Sequence, residues 1–303
     1  MRTTSWFAAA ALLAVSLVGC GRGKAPLGSP GNPIRMAVVP SVEQQKLAAS
    51  GERLGRLLQK ETGYTFRVSV PTSYAAVVES MGAKQVDVGW LSPFPYVLAH
   101  RKYDVQVILK SVRGGSASYN GLIIARTDSS IDSIDDLRGK RFAYVDAIST
   151  SGCIYPKIML IKKGYDPDRF FGRTVLAGSH DAVVAAVYKG QVDAGAIYGG
   201  PVSDARERML RAIPDILKKT KVVARTEPIP NDTVSVRDGL PPEALKRIRN
   251  GLLAISKSEE GRKTVLSLYG IDSLIEAKDS DYDSVRHAIQ ALDIDIKEAV
   301  EQG

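Results

Sequence analysis

The chain has 303 residues, of which 44% are hydrophobic, so it is long enough to build a sizeable core in one large or two medium domains. Its 41 Lys and Arg residues against 33 Asp and Glu residues give a formal net charge of +8, and these charges are not clustered. No arginine-rich run with interleaved aromatic residues occurs, which excludes nucleic acid as an expected partner. A diffuse positive charge suits an anionic ligand and an anionic membrane surface, and it serves solubility equally well.

The first 20 residues predict a lipoprotein signal peptide. An apolar run from Trp6 to Val18 follows Arg2 and ends in Leu-Val-Gly-Cys at residues 17–20. This run is too short to span a bilayer comfortably, so we expect cleavage before Cys20 and lipidation of that residue. The alternative is an ordinary secretory signal in which Cys20 lies near the cleavage site by chance. A lipidated chain would be anchored in the cell envelope, in the periplasm or on the outer face of the cytoplasmic membrane.

Residues 21–33 are rich in Gly and Pro and predict a flexible tether. Once Cys20 carries lipid, Cys153 would be the one remaining thiol, so no intramolecular disulfide is expected.

From Ile34 onward, short β-rich apolar runs alternate with helical patterns, which is typical of an α/β fold. Helices are predicted over 44–62, from Ser73, over about 153–163, and throughout the region from Pro241 onward. Strands are predicted at 34–39, 66–70, 86–90, 105–109, 122–126, 141–145, 173–176, 194–197, 222–224 and 233–236.

An internal repeat indicates two similar lobes. Residues 73–89 and 179–195 match at eight of seventeen positions with a constant offset of 106, and each copy reads as a serine N-cap, a helix, a turn and a buried strand. The alternative is chance convergence on a common helix–strand unit. We predict that residues 34–123 plus 231–303 form lobe 1 and that residues 124–230 form lobe 2, with two crossover segments near 119–126 and 227–235.

In a two-lobed α/β protein the ligand crevice lies where helix N-termini point, and their unpaired N–H groups suit an anion. Three predicted helix starts carry hydroxyl groups, at Ser73-Tyr74, at Ser179-His180 and at Ser149-Thr150-Ser151-Gly152. A single serine there is most simply an N-cap without a ligand, whereas three hydroxyls in succession exceed what one cap needs. Such helix starts could bind an anion without any lysine or arginine.

His180 and Tyr74 occupy equivalent positions in the two repeats, so both are predicted to face the crevice. Tyr119, on the first crossover, and the segment 90–96, which contains Ser92, are expected to wall it. An aromatic strand end of this kind is more often core than binding site.

These residues together resemble the phosphate/phosphite/phosphonate-binding proteins of ABC importers. The resemblance rests on motifs in order and spacing along nearly the whole chain after the tether, namely Tyr74 with 78–81, 85–90 with Pro93, 145–146 with 149–152, 178–181 and 228–232.

The resemblance implies a type II periplasmic-binding fold and ligand contacts at Tyr74, Tyr119, Ser149, Thr150, Ser151, His180 and Asp232. It also implies an extracytoplasmic, monomeric solute-binding protein that captures phosphite, phosphate or an alkylphosphonate and delivers it to an ABC permease. A sensor of phosphate or an arsenic oxyanion acting on a membrane histidine kinase remains an alternative.

Two departures from the family pattern bear on the ligand. The resemblance implies that family members that bind aminoalkyl phosphonates carry a carboxylate just after the strand that here ends near Ile197, whereas this chain has none before Asp204. A ligand that bears an ammonium group is therefore not expected, and an aminoethyl phosphonate should bind more weakly than phosphite or methylphosphonate. Cys153 directly follows Gly152, where a thiol could be either a reactive group at a helix start or a buried inert one.

A hydrolytic enzyme is a weaker alternative. The chain has no Gly-x-Ser-x-Gly nucleophile elbow, no Gly-rich phosphate loop ending in Lys-Ser/Thr, and too few histidines and cysteines for a plausible zinc site. We therefore expect no catalytic residues, no metal and no cofactor.

Overall fold

The computed structural model describes residues 25–290, which fold into two α/β lobes with one sheet each. The strands are β1 (Ile34–Val38), β2 (Phe66–Ser69), β3 (Val88–Leu91), β4 (Gln106–Val112), β5 (Ser118–Arg126), β6 (Arg141–Tyr144), β7 (Arg173–Leu176), β8 (Ala194–Gly199), β9 (Thr220–Arg225), β10 (Ile229–Pro230), β11 (Thr233–Val236) and β12 (Ser273–Glu276). The helices are α1 (Gln44–Thr62), α2 (Tyr74–Gly82), α3 (Pro93–Tyr103), α4 (Tyr155–Lys162), α5 (Pro167–Phe170), α6 (His180–Tyr188), α7 (Ala205–Arg208), α8 (Ile216–Lys219), α9 (Pro242–Lys257), α10 (Glu259–Tyr269) and α11 (Asp283–Gln290).

The first sheet has the order β12-β4-β11-β3-β1-β2, and the second has the order β10-β5-β8-β6-β7 with β9 also paired to β5. In each sheet a central strand pairs in parallel with two neighbours, β1 with β2 and β3, and β6 with β7 and β8. Antiparallel strands complete both sheets. Segments that follow parallel strands of the two lobes face each other, because the N–H of His180, after β7, donates to the carbonyl of Ser41, after β1.

The chain passes between the lobes twice. The first passage is residues 113–117, between β4 and β5, and the second is residues 231–232, between β10 and β11. The expected first boundary at residue 123 falls inside β5, because this strand begins at Ser118 and pairs along its length with β8, β9 and β10.

The region from Pro241 onward was predicted to be wholly helical, and this is wrong at β12. Ser273–Glu276 pairs antiparallel with β4 at the edge of the first sheet. A four-residue strand has too few positions for its alternation to stand out between two helical patterns.

The repeat at an offset of 106 has the same contacts in both lobes. Asp87 accepts hydrogen bonds from the backbone N–H and the guanidinium of Arg35, and Asp193 accepts the same pair from Arg141. Arg35 and Arg141 are themselves 106 residues apart, so the correspondence extends from the helix–strand unit to the first strand of each lobe. Within residues 25–290, no helix combines the length and the apolar character needed to cross a membrane.

The predicted leader, including Cys20, lies outside the described residues, as do residues 21–24 of the predicted tether. Residues 25–33, which were also predicted to be flexible, contact lobe 1: the N–H of Thr65 donates to the carbonyl of Gly28 at 2.7 Å, and Leu27 packs against the core.

Candidate functional site

A small cavity lies between the lobes and has a volume of ≈ 30 Å³. A water molecule needs roughly 10–15 Å³ of such space, so the cavity suits a small ion and not a nucleotide-sized ligand. Both lobes and both passages contribute to its lining, which consists of Val39, Ser41, Val42, Tyr74, Ser92, Arg113, Tyr119, Ser149, Ser151, His180, Tyr198, Asp232 and Tyr269.

All but one of the residues predicted to contact a ligand lie on this cavity. These are Tyr74, Ser92, Tyr119, Ser149, Ser151, His180 and Asp232.

The exception is Thr150, whose side chain turns away from the cavity. Its Oγ1 accepts a hydrogen bond from the backbone N–H of Phe94 at 2.9 Å, across the interface between the lobes. Ser92, the N-cap of α3, makes no capping bond of its own, so Thr150 satisfies an N–H at the start of this helix from the opposite lobe. Thr150 is therefore placed to hold the lobes together.

The predicted N-cap serines divide into two kinds. The hydroxyls of Ser73 and Ser179 accept from the backbone N–H groups of Ala76 and Ala182, each at 3.2 Å, and neither residue lines the cavity. Ser73 and Ser179 therefore act as N-caps, which is the simpler of the two alternatives for a serine at a helix start. Ser149 also caps, accepting from Gly152 N at 3.2 Å, but it lines the cavity and its hydroxyl proton remains available to a ligand.

Ser149 and Ser151 belong to a wide helical turn at residues 150–154 that precedes α4. The N–H of Ile154 reaches back five residues to the carbonyl of Ser149 at 3.0 Å, which makes this a π-type turn. Such turns are frequent at functional sites. Here Ser149 and Ser151 lie on the cavity, while Thr150 lies on the lobe interface.

His180 is held as a neutral hydrogen-bond donor. Its Nδ1 lies 3.1 Å from the backbone N–H of Tyr198, which must donate, so Nδ1 carries no proton and Nε2 does. Burial, reinforced by the charges of Arg113 and Arg208, lowers the pKa of His180 to about 3. The imidazole is therefore uncharged near neutral pH, and its Nε2–H is available to an oxyanion.

The cavity's tyrosines also keep their protons. Burial and, secondarily, the carboxylate of Asp146 raise the pKa of Tyr74 well above its ordinary value. Burial and the carboxylate of Asp232 do the same for Tyr119. The hydroxyl of Ser92 is buried and has no hydrogen-bond partner. A buried hydroxyl is almost always paired, so the hydroxyl of Ser92 is a candidate donor to a ligand in the cavity.

Sequence reasoning missed Arg113, although it lines the cavity. Its guanidinium donates to Asp232 at 2.5 Å, to the side-chain oxygen of Asn231 at 3.1 Å and to the backbone carbonyl of Tyr269 at 3.0 Å. The expectation of an anion site without any arginine therefore does not hold for this cavity. The available signal was its position directly after a buried strand and before Gly114-Gly115, but its partner Asp232 is more than a hundred residues away.

Tyr198 and Tyr269 are further lining residues that the sequence did not single out. Tyr269 donates its hydroxyl to the carbonyl of Val39 at 2.6 Å, and the ring of Tyr198 packs edge-on against His180.

The two lobes are in direct contact around the cavity, as in a closed conformation. Asp146 accepts from the N–H of Tyr74 at 3.2 Å, and Asp181 accepts from the N–H of Glu43 at 3.2 Å. The N–H of His180 donates to the carbonyl of Ser41 at 2.9 Å. Carboxylates of lobe 2 therefore accept from N–H groups at the N-terminal ends of two helices of lobe 1, from the N-cap residue Glu43 of α1 and from the first residue Tyr74 of α2. The helix dipole favours negative charge at such ends.

Cys153 is buried among apolar side chains of lobe 2, including Phe142, Tyr144 and Leu160. Burial raises the pKa of its thiol to about 12. We expect iodoacetamide at pH 8 to leave Cys153 unmodified in the folded protein and to alkylate it after urea unfolding, as followed by peptide mass spectrometry. Rapid modification of the native protein would contradict this placement.

Asp204, the first carboxylate after β8, is bound to the guanidinium of Arg206 at 2.7 Å and does not line the cavity. Within residues 25–290, no group of three or more His, Cys, Asp or Glu side chains is arranged to hold a metal ion.

Two lobes joined by two short passages and enclosing a small cavity of hydrogen-bond donors define a two-lobed solute-binding protein. Residues 36–282 match the family described as "ABC transporter, phosphonate, periplasmic substrate-binding protein". The phosphate-import protein PhnD of Mycolicibacterium smegmatis is 30% identical over 276 residues, which cover 84% of each chain. The chain therefore belongs to the periplasmic substrate-binding proteins of phosphonate ABC transporters.

Solved structures share the fold. The binding-protein component of an ABC phosphonate transporter from Pseudomonas aeruginosa has a TM-score of 0.77 at 23% identity, covering 89% of this chain and 93% of that one. PhnD1 of Prochlorococcus marinus, solved with methylphosphonate, has a TM-score of 0.75 at 20% identity, covering 86% and 97%. The predicted family and the type II periplasmic-binding fold are thus confirmed, and the family is one of binding proteins and not of enzymes.

Proposed function

We propose that this protein captures a small phosphorus oxyanion, phosphite, phosphate or an alkylphosphonate, in the cavity between its lobes and delivers it to an ABC importer. The observation that carries the proposal is the set of uncharged donors around one small space: the hydroxyls of Tyr74, Ser92, Tyr119, Ser149 and Ser151 and the Nε2–H of His180. Such donors match the several oxygens of a tetrahedral anion.

Hydrogen-bond donors come from both lobes, so ligand binding is coupled to closure of the lobes. Tyr74 and Ser92 come from lobe 1, whereas Ser149, Ser151 and His180 come from lobe 2. A ligand that touches both sets makes more contacts in the closed state than in the open state, so it favours closure. The relatives named for phosphate import and phosphonate binding favour an importer, and not a membrane kinase, as the partner.

A thermal-shift panel tests the class of ligand. A ligand at a hundredfold over its dissociation constant stabilises the folded state by about 2.7 kcal/mol, which for a chain of this length raises the melting temperature by roughly 5–10 °C. We expect this response from at least one of phosphite, phosphate and methylphosphonate, and a much smaller one from sulfate. No response to any phosphorus oxyanion would exclude the proposed ligand class.

We further propose that Cys20 carries a lipid that holds the protein at the membrane. The proposal rests on the Leu-Val-Gly-Cys sequence at residues 17–20 after an apolar run. Replacing Cys20 with Ala should move the protein from the membrane fraction to the soluble fraction of cells expressing the full chain. A C20A protein that stays in the membrane fraction would refute lipidation at this residue, and a C153S variant serves as the control that should remain anchored.

A further inference from the structure

Arg113 lies where the cavity meets both passages between the lobes. It directly follows β4 at the start of the first passage, and its three acceptors come from the second passage (Asn231 and Asp232) and from the end of α10 (Tyr269). Its side chain is only 14% exposed. A guanidinium fixed by three acceptors has little freedom to follow a ligand, so its charge stays at one point of the wall.

Only two residues of the described lining carry a charge near neutral pH, Arg113 and Asp232, because His180 is neutral. The ion pair between them joins atoms 2.5 Å apart, so the wall presents no uncompensated carboxylate. Without Arg113, Asp232 would face the ligand as a bare negative charge in a poorly solvated site. Such a charge repels an oxyanion and attracts an ammonium group.

We propose that Arg113 determines the specificity of the cavity. Because Arg113 is ion-paired with Asp232, the carboxylate cannot bind an ammonium group of the ligand. The cavity therefore selects phosphorus oxyanions whose remaining substituent is an oxygen, a hydrogen or a small alkyl group, and it rejects those whose substituent carries an ammonium. This inference rests on the proposed function and adds to it the residue that decides between neutral and cationic substituents. Specificity here comes from a repulsive element, the guanidinium, as well as from the attractive donors around the cavity.

Two ligands with the same number of non-hydrogen atoms separate charge from size. Ethylphosphonate ends in a methyl group where aminomethylphosphonate ends in an ammonium, so their affinity ratio reports the electrostatics of the wall. Calorimetric titration of both ligands into the full protein should give a wild-type preference for ethylphosphonate of at least about tenfold.

Arg113→Met should shift this ratio toward aminomethylphosphonate by at least about tenfold, because the freed Asp232 can accept from the ammonium. Arg113→Lys keeps a positive charge and should keep the wild-type preference. The double variant R113M/D232N removes both charges and should lose the gain that R113M confers on aminomethylphosphonate. An R113M ratio equal to that of the wild type would overturn the proposal.

If Arg113→Met does not fold, as judged by circular dichroism, Asp232→Asn provides the deciding measurement. It leaves Arg113 uncompensated, so discrimination against aminomethylphosphonate should rise by roughly tenfold, and an unchanged ratio would overturn the proposal. Failure of the wild type to bind any phosphorus oxyanion would instead reject the proposed function, which distinguishes the two outcomes.

Discussion

Replacing His180 with Ala should weaken the binding of the preferred phosphorus oxyanion by roughly 10- to 100-fold, the effect of losing a hydrogen bond of about 1.5–3 kcal/mol to a charged group. The reason is geometric. The N–H of Tyr198 donates to Nδ1, so Nε2–H is the ring group that can donate a hydrogen bond to a ligand. Isothermal titration calorimetry measures the loss. The same substitution leaves the buried N–H of Tyr198 without its acceptor, so some loss of stability accompanies it.

His100→Ala is the matched control for His180→Ala. His100 lies on α3, is partly exposed and does not line the cavity, so its removal should leave the affinity within about twofold of the wild type. Equal effects of the two substitutions would show that His180 acts through the fold and not through the ligand.

The pH dependence of stability gives a second test of the placement of His180. The pKa of His180 falls from 6.5 to about 3 on folding, because burial and the nearby Arg113 and Arg208 disfavour the imidazolium. The unfolded chain therefore binds the extra proton between these values, and this residue destabilises the ligand-free protein as pH falls from 6.5 toward 3. The loss of stability on acidification should be shallower in H180A than in the wild type.

Gly152→Ala should damage both stability and binding. A Cβ at this position would lie 2.4 Å from Cγ2 and 2.6 Å from Cβ of Val145, which is fully buried and, being β-branched, has no free rotamer to retreat to. Overpacking of this kind costs about 1–3 kcal/mol. Because the strain falls on the turn that carries Ser149 and Ser151, we expect affinity to fall by at least about tenfold as well.

Gly55→Ala is the matched control for this substitution. Gly55 lies within α1, and the atom nearest to an added Cβ is Cγ2 of Val68 at 3.4 Å, an ordinary contact. Alanine within a helix is favoured over glycine by up to about 1 kcal/mol, so this variant should unfold at an equal or higher denaturant concentration with unchanged affinity. A Gly152→Ala protein with wild-type stability and affinity would show that the turn adapts freely.

The fold could be predicted from the sequence because its signals are local or repeated. Helix α1 follows from a sustained apolar periodicity over 44–62. The repeat at an offset of 106 reflects an ion pair that each lobe forms separately, Arg35 with Asp87 in lobe 1 and Arg141 with Asp193 in lobe 2. The edge strand β12 was missed because its four residues become a strand only through pairing with β4, a contact made over more than 150 residues of sequence.

The sequence predicted a residue of the candidate site only where its type and its position at a helix start indicate a side chain that faces the crevice. Ser149, Ser151 and His180 were predicted to face the crevice because hydroxyl and imidazole groups at helix starts suit an anion, and all three line the cavity. Thr150, between the two serines, could not be assigned to the lobe interface from the sequence. Its orientation depends on the π-type turn, and no pattern of side chains predicts that turn. Arg113 was missed because its role depends on Asp232, which reaches the same point from the other passage.

Calorimetric titration of the full protein with phosphite, phosphate and methylphosphonate, with sulfate as the competitor of similar shape, tests the central claim most directly. We predict that at least one phosphorus oxyanion binds with a stoichiometry of one, that H180A weakens it, and that sulfate binds far more weakly. Equal affinity for sulfate, or no heat from any of the three phosphorus oxyanions, would contradict the assignment of this cavity to phosphorus oxyanion capture.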